Sequence, residues 1–396
     1  MKITDVRVIL TAPGRNYLFV KIVTDSPGLW GIGEATINGS ETIVAEALTH
    51  IAQLLIGRDP QQIEDLWQLI YRQGYWRGGP IFITALAGLD MALWDIKGKQ
   101  AGLPVYQLLG GRCRDAVTCY SHAFGRDAHE TEQSVRALME QGFRVIRAQV
   151  GPYGGDGCIR QDPPITPGTP ATTIYDSTRY LLSVPRLFEH LRSTLGMEVE
   201  LFHDVHEQLH PIEAVRLVKE LEPYRLFFLE DPLMPEHRES WPMLRAASAT
   251  PLAIGEIFSS RWDCIPLFTN GWIDFLRTPP LHIGGITEAR KVMAIGEPFN
   301  VRSAFHGAAD IGPVAQAASV AVGISISNFG VQEWTRYPDA LHEVVSGVCQ
   351  MERGNLHPNE APGFGIEIDE EKAGQHPYQR SFMPIVRRAD GSMHVY

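Results

Sequence analysis

Between residues 113 and 349, eight short runs rich in β-branched and aromatic residues alternate with amphipathic segments. The runs are AVTCYSHA, VIRAQV, EVELFHDV, LFFLEDP, LAIGEIF, IDFLRTP, NVRSAFHG and ISNFGVQEW, with stretches such as HPIEAVRLVKELEPY and TEARKVMAIGEPF between them. Strands separated by helices pair in parallel, because each helix carries the chain back before the next strand begins. Eight such units close naturally into a (β/α)8 barrel. The stretch from Gly151 to Asp176 breaks the rhythm with GPYGGDG and QDPPITPGTP, has no periodic face, and reads as a lid or binding loop.

The chain ahead of the barrel has another style. KITDVRVILTA, YLFVKIVTD and GLWGIGEATI read as a strand meander, and TIVAEALTHIAQLLIG, DPQQIEDLWQLIYRQG and TALAGLDMALWDIKGKQAG as helices. Strands first and helices afterwards predict an α+β capping domain over residues 1–112, ahead of a barrel over 113–349. The segment 350–396 is irregular, with turn signals at HPNEAPGFG, and is expected to return to the capping domain.

Composition narrows the class. An apolar share of 44% in 396 residues builds a substantial core and excludes a disordered or fibrous chain. Acidic side chains number 46 against 35 basic ones, which argues against a nucleic-acid partner. No apolar run is long enough to span a bilayer, and MKITDVRVILTAP carries no export signal. The five cysteines, Cys113, Cys119, Cys158, Cys264 and Cys349, are scattered without a CxxC pair, as expected of reduced thiols in a cytoplasm.

Three acids end three successive strand candidates: Asp204 in LFHDVH, Glu230 in FFLEDP and Glu256 in AIGEIF, at intervals of 26 and 26 residues. Each interval is one βα unit, so in a barrel the three carboxylates converge on the rim where barrel enzymes carry their chemistry. Taken singly, each could be a helix cap. In register they repel one another unless a cation is present, and an all-oxygen set suits a hard ion such as Mg2+. In HDVHEQLH, His203 and His210 invite a zinc reading. His203 falls on the face opposite Asp204 and no cysteine is near, which argues against it.

The order of α+β domain, barrel, Asp-Glu-Glu and HIGGITEARK resembles the enolase superfamily. Within it, HDVHE, FLEDP, LAIGEIF, HIGGITEARK, SAFHGAAD and NFGVQEW look like the mannonate dehydratase family, a resemblance that covers nearly the whole chain and is dense from about residue 196 to 340. It implies an enediolate chemistry supported by Mg2+.

Many superfamily members carry a Lys-x-Lys base on the second barrel strand; here VIRAQV puts Arg147 and Gln149 there. Arginine is too basic to accept a proton readily. The resemblance implies that Arg147 works with a loop tyrosine whose phenolate it stabilises. Tyr153 is the nearest, in a loop shorter than the family pattern, and Tyr175 is a weaker candidate. His206, two residues beyond Asp204 on the same side of an extended strand end, is the candidate acid for a departing hydroxyl. His306 would sit on the same rim. The aspartate that relatives place on strand six is Pro279 here, so His306 is expected to lack an orienting partner. Arg277 and Glu333 resemble the family's residues near substrate, and Asn38, His122 and Asp310 are implied as further contacts. Trp76 reads as core or lid packing, and the IGG at 283–285 is too short for a phosphate cradle.

These expectations describe a Mg2+-dependent acid-sugar dehydratase. It takes D-mannonate first and D-gluconate second, gives 2-keto-3-deoxy-D-gluconate, and works as a cytoplasmic homo-oligomer with no membrane partner. Two alternatives stay open: a low-activity or non-catalytic binding homologue, favoured by the altered 151–176 loop, and a superfamily racemase or epimerase. The second is opposed by Pro279 and the missing Lys-x-Lys.

Overall fold

The computed structural model describes residues 1–396. The chain begins with an antiparallel meander of β1 (Ile3–Thr11), β2 (Tyr17–Thr24) and β3 (Trp30–Glu34). Three helices follow, α1 (Glu41–Ala52), α2 (Ile63–Gln73) and α3 (Pro80–Ala101), and then the short α4 (Val105–Leu108). One face of the meander contributes Val20 and Ile22 to a core shared with Leu48, Leu66, Leu89 and Leu93 of the helices. Helix α3 approaches β3 so closely that a Cβ on Gly33 would lie 1.8 Å from the Gly88 carbonyl oxygen, so only glycine fits there.

From β4 (Val117–Gly125) the chain alternates. Next come α5 (Ala128–Glu140), β5 (Val145–Val150), the hairpin β6 (Cys158–Asp162) and β7 (Thr172–Tyr175), and α6 (Ser177–Leu195). Then follow β8 (Glu200–Asp204), α7 (Pro211–Leu221), β9 (Leu229–Glu230), α8 (Trp241–Arg245), β10 (Leu252–Ile254), α9 (Arg261–Thr269) and β11 (Phe275–Leu276). The series ends with α10 (Pro280–Ile283), α11 (Ile286–Gly296), β12 (Arg302–Phe305), α12 (Pro313–Ser325) and β13 (Phe329–Glu333). Strands β4, β5, β8, β9, β10, β11, β12 and β13 pair in that order, and β13 returns to β4, closing an eight-stranded barrel. All eight strand runs read from the sequence are barrel strands. Buried aromatic rings, among them Tyr120, Phe202, Phe228 and Phe275, pack its interior.

The 151–176 stretch departs from a structureless loop. It carries the β6–β7 hairpin, and β7 pairs in parallel with the tail strand Ile385–Arg388. Its partner lies more than two hundred residues away, so local periodicity could not reveal it.

Residues cluster into two compact units. One contains Met1–Thr118, Glu256–Pro266 and Arg277–Ser381; the other contains Cys119–Gly255, Leu267–Leu276 and Phe382–Tyr396. Within the first, two buried carboxylates cap helices from a distance. Glu34, ending β3, accepts the N–H groups of Gly312, Val314 and Ala315 at 2.6, 3.1 and 3.1 Å, at the start of α12. Asp90 of α3 accepts the Thr287 N–H at 3.0 Å and its hydroxyl at 2.5 Å, at the start of α11. Helix N-termini leave such donors unsatisfied and favour negative charge. The IGG motif serves this cap: a Cβ on Gly285 (φ 90°) would lie 2.2 Å from an Asp90 carboxylate oxygen. Residues 373–379 return to the meander, with the Ala373 carbonyl accepting the Thr11 hydroxyl at 2.8 Å and the Gln379 carbonyl accepting the Asn16 amide at 2.7 Å.

Candidate active site

The second unit holds a buried cluster on β5 and at the ends of β8 and β9. Asp204 and Glu230 are register partners in the parallel ladder and end their strands, so their side chains leave the sheet at the same level. Asp231 follows at φ 38° and accepts the Gly255 N–H at 3.1 Å. The three carboxylates each offer an oxygen within 4.8 Å of the others, and none is more than 1% exposed. Arg147, also 1% exposed, answers that charge: Nη1 lies 2.7 Å from Asp204 Oδ2 and 3.5 Å from Glu230 Oε1. A planar guanidinium has further donors to place. Nη2 lies 3.1 Å from His122 Nδ1 and 3.1 Å from the Tyr153 hydroxyl. Because a guanidinium only donates, His122 accepts at Nδ1 and carries its proton on Nε2.

His206 meets Tyr153 face to face, with ring centroids 3.8 Å apart and planes inclined by 25°. The expected reason for its position is corrected. The strand ends at Asp204, and His206 and Glu207 turn into left-handed backbone at φ 51° and 62°, so alternation along an extended strand does not place the ring. The turn is held by the His206 N–H donating to Asp204 Oδ1 at 2.8 Å. At the ring, Nδ1 lies 2.7 Å from the backbone oxygen of Tyr396. A backbone oxygen there only accepts, so Nδ1 carries a hydrogen. His203, by contrast, faces away, between the Tyr180 hydroxyl at 2.7 Å and the Ala148 carbonyl at 3.1 Å. Burial lowers its pKa to about 4. His210 caps α7 in a reciprocal pair with Glu213.

The first unit holds another buried cluster, on residues that follow or end β10 to β13. Arg277 Nη2 donates to Glu256 Oε2 at 2.6 Å and lies 3.4 Å from Glu333 Oε2. His306 Nδ1 is 3.0 Å from both carboxylates, and its Nε2 is 2.8 Å from Asp310 Oδ1. The expectation that His306 lacks an orienting carboxylate is therefore corrected: Asp310, four residues on, supplies it from the loop rather than from strand six. Burial works against the charged imidazole, but Asp310, Glu256 and Glu333 outweigh it and hold the pKa well above the ordinary histidine range. Asp310 is half-buried, and against the cost of desolvation His306 holds its carboxyl below the ordinary value.

The remaining candidates have these surroundings. Asn38 is exposed in the turn ahead of α1. Tyr175 stacks on His394, centroids 4.8 Å apart. Trp76 is 91% exposed, set edge-on to Tyr75, and is not core packing. Three residues at these clusters escaped the sequence reading. Asp231 was visible as the second acid of FLEDP. His282, whose Nδ1 donates to the Glu256 carbonyl at 3.1 Å, and Tyr396 carried no local signal.

A hard divalent cation fits the second unit's cluster, because the donors are all oxygen, buried and mutually close. Asp204 and Glu230 would hold it, with Asp231 adjacent.

Comparison with known proteins agrees with this architecture. Residues 7–110 match the mandelate racemase/muconate lactonizing enzyme N-terminal domain, and residues 130–372 match the enolase C-terminal domain-like family. A D-mannonate dehydratase of Caulobacter sp. strain K31 is 46% identical, over 100% of this chain and 99% of its own. A D-galactonate dehydratase family member of Pantoea ananatis is 47% identical, over 99% and 98%. A solved enolase structure from Pantoea ananatis, with bound D-gluconate and Mg, superposes with a TM-score of 0.93 at 44% identity, covering 99% of each chain. The chain belongs to the enolase superfamily and, within it, to the mannonate dehydratase family.

Proposed function

We propose that this chain is a Mg2+-dependent acid-sugar dehydratase that converts D-mannonate, and secondarily D-gluconate, to 2-keto-3-deoxy-D-gluconate. The observation that carries the reading is the set of buried Arg147 with the half-buried Tyr153 and His206 beside the carboxylates of Asp204 and Glu230. In the proposal Asp204, Glu230 and Glu256 hold Mg2+, which when bound offsets the negative charge that builds on the substrate carboxylate as the α-proton leaves. Tyr153 removes that proton, and Arg147, 3.1 Å from its hydroxyl, shares the charge of the phenolate. His206 delivers a proton to the departing 3-hydroxyl while the Tyr396 backbone oxygen fixes its ring. Arg277, His306, Asp310 and Glu333 bind the sugar's polar end, with Asn38 and His122 as further contacts. The family assignment and the acid sugars in its relatives' names support this substrate class.

Assembly as a homo-oligomer and a cytoplasmic setting belong to the same proposal. The five free cysteines support a reducing compartment, and exposed apolar side chains such as Trp76 and Trp262 support association. No helix is long and apolar enough to cross a membrane.

The test is a screen of hexonates with Mg2+, scored for 2-keto-3-deoxy product. Product from D-mannonate supports the reading. Retained hexonate binding with no product overturns it in favour of a binding homologue, and α-proton exchange with solvent deuterium without water loss overturns it in favour of an epimerase.

A further inference from the structure

On the outer face of the second unit, α5 and α6 bring two imidazoles and a carboxylate together. His129 and Glu132 stand three residues apart on α5 and so share one face of the helix. His190 reaches them from the last two turns of α6. The three donor atoms lie within 4.8 Å of one another, and His190 Nε2 is 2.8 Å from Glu132 Oε2. We infer that His129, Glu132 and His190 form a second metal site, for a late first-row divalent cation such as Zn2+, independent of the carboxylate cluster at the barrel strand ends.

The donor set decides the metal class. Two imidazole nitrogens and one carboxylate suit Zn2+, Ni2+ or Cu2+ and not Mg2+, which prefers oxygen. Three protein ligands leave a fourth position for water.

The arrangement is oriented from behind. Arg136 Nε donates to Glu132 Oε1 at 2.8 Å, and its Nη2 donates to the Thr194 carbonyl at the end of α6 at 3.1 Å. One guanidinium thus ties the two helices together and holds one carboxylate oxygen, leaving Oε2 turned toward His190. Such outer contacts are how proteins fix the geometry of metal ligands. Glu132 is only 8% exposed. His129 is exposed and gives an ion its way in. Its Nε2 lies 3.0 Å from the Gln133 amide nitrogen, which only donates, so this nitrogen accepts and its lone pair points at Gln133. Gln133 is the competitor that a metal must displace.

The experiment titrates Zn2+ into the full chain at saturating Mg2+, by calorimetry and by thermal shift, with Co2+ as a spectroscopic probe of coordination. The expected result is one saturable equivalent per chain, a raised melting temperature and a Co2+ spectrum of low coordination number. His129→Ala and His190→Ala should each weaken Zn2+ binding by about tenfold or more, with Mg2+-dependent turnover unchanged. Gln133→Ala, which removes the competitor, should bind at least as tightly as the native chain. Undiminished Zn2+ binding by the double histidine variant, or no saturable equivalent in the native chain, overturns the inference.

Discussion

The phenol of Tyr153 lies flat against the imidazole of His206, 3.8 Å between ring centroids, while its hydroxyl sits 3.1 Å from the guanidinium of Arg147. The base and the acid of the proposed reaction therefore share one packed surface, and the two can be separated by substitution.

Tyr153→Phe keeps the stack and removes only the hydroxyl. Turnover of D-mannonate should fall by roughly 10² to 10⁴, the usual contribution of one positioned acid–base group, with little change in KM or melting temperature. Steady-state kinetics and a thermal scan check this. Activity within a few-fold of native would remove Tyr153 from the role of base.

His206→Asn retains a polar side chain but cannot carry a proton to the leaving hydroxyl. Its expected signature is a split: exchange of the α-proton with solvent deuterium continues, followed by NMR, while formation of the 2-keto-3-deoxy product drops by roughly 10² or more. Loss of both together would place His206 in proton abstraction instead.

Asp204→Asn removes one anionic oxygen from the trio with Glu230 and Asp231. Mg2+-dependent turnover should vanish while circular dichroism remains native. Because the variant relieves repulsion among buried carboxylates, the metal-free protein should melt no lower than its parent. Near-native turnover would refute the ligand assignment.

Asp90 carries a pH signature far from the chemistry. Burial raises its pKa from 3.8 to about 7, against the opposing hydrogen bonds from Thr287 and Ile286. Between these values the folded chain holds a proton that the unfolded chain has lost. The contribution is therefore fully present below pH 3.8 and is lost as pH rises through about 7. Asp90→Asn cannot titrate, so the stability difference between native and variant should shift toward the variant across that window, by a few kcal/mol in order of magnitude. Denaturant titrations at pH 4, 5.5 and 7 would detect it, and a difference independent of pH would show that the carboxyl does not titrate there.

The barrel was legible because its information is local. Each strand is a short β-branched or aromatic run, each helix an amphipathic one, and the acids of LFHDVH, FFLEDP and AIGEIF stand where those runs stop. Features built from distant partners left no such trace. The β6–β7 hairpin gains its third strand from Ile385–Arg388, and the His206 ring is held by Tyr396, 190 residues further on. His206 itself was selected by an argument about extended backbone, yet a left-handed turn places it, which residue spacing alone cannot distinguish. The Asp310 partner of His306 comes from a loop, which has no strand pattern to mark it.

The pairing of β7 with Ile385–Arg388 has a kinetic consequence. The barrel strands span residues 117–333, so the cylinder can close without the tail, whereas the hairpin beyond Tyr153 and the seat of the His206 ring wait for residues 385–396. Loop-closure entropy makes such contacts slow to form. During refolding, then, enzymatic competence trails the recovery of secondary structure, and a snapshot between the two would show a finished scaffold around unfinished chemistry.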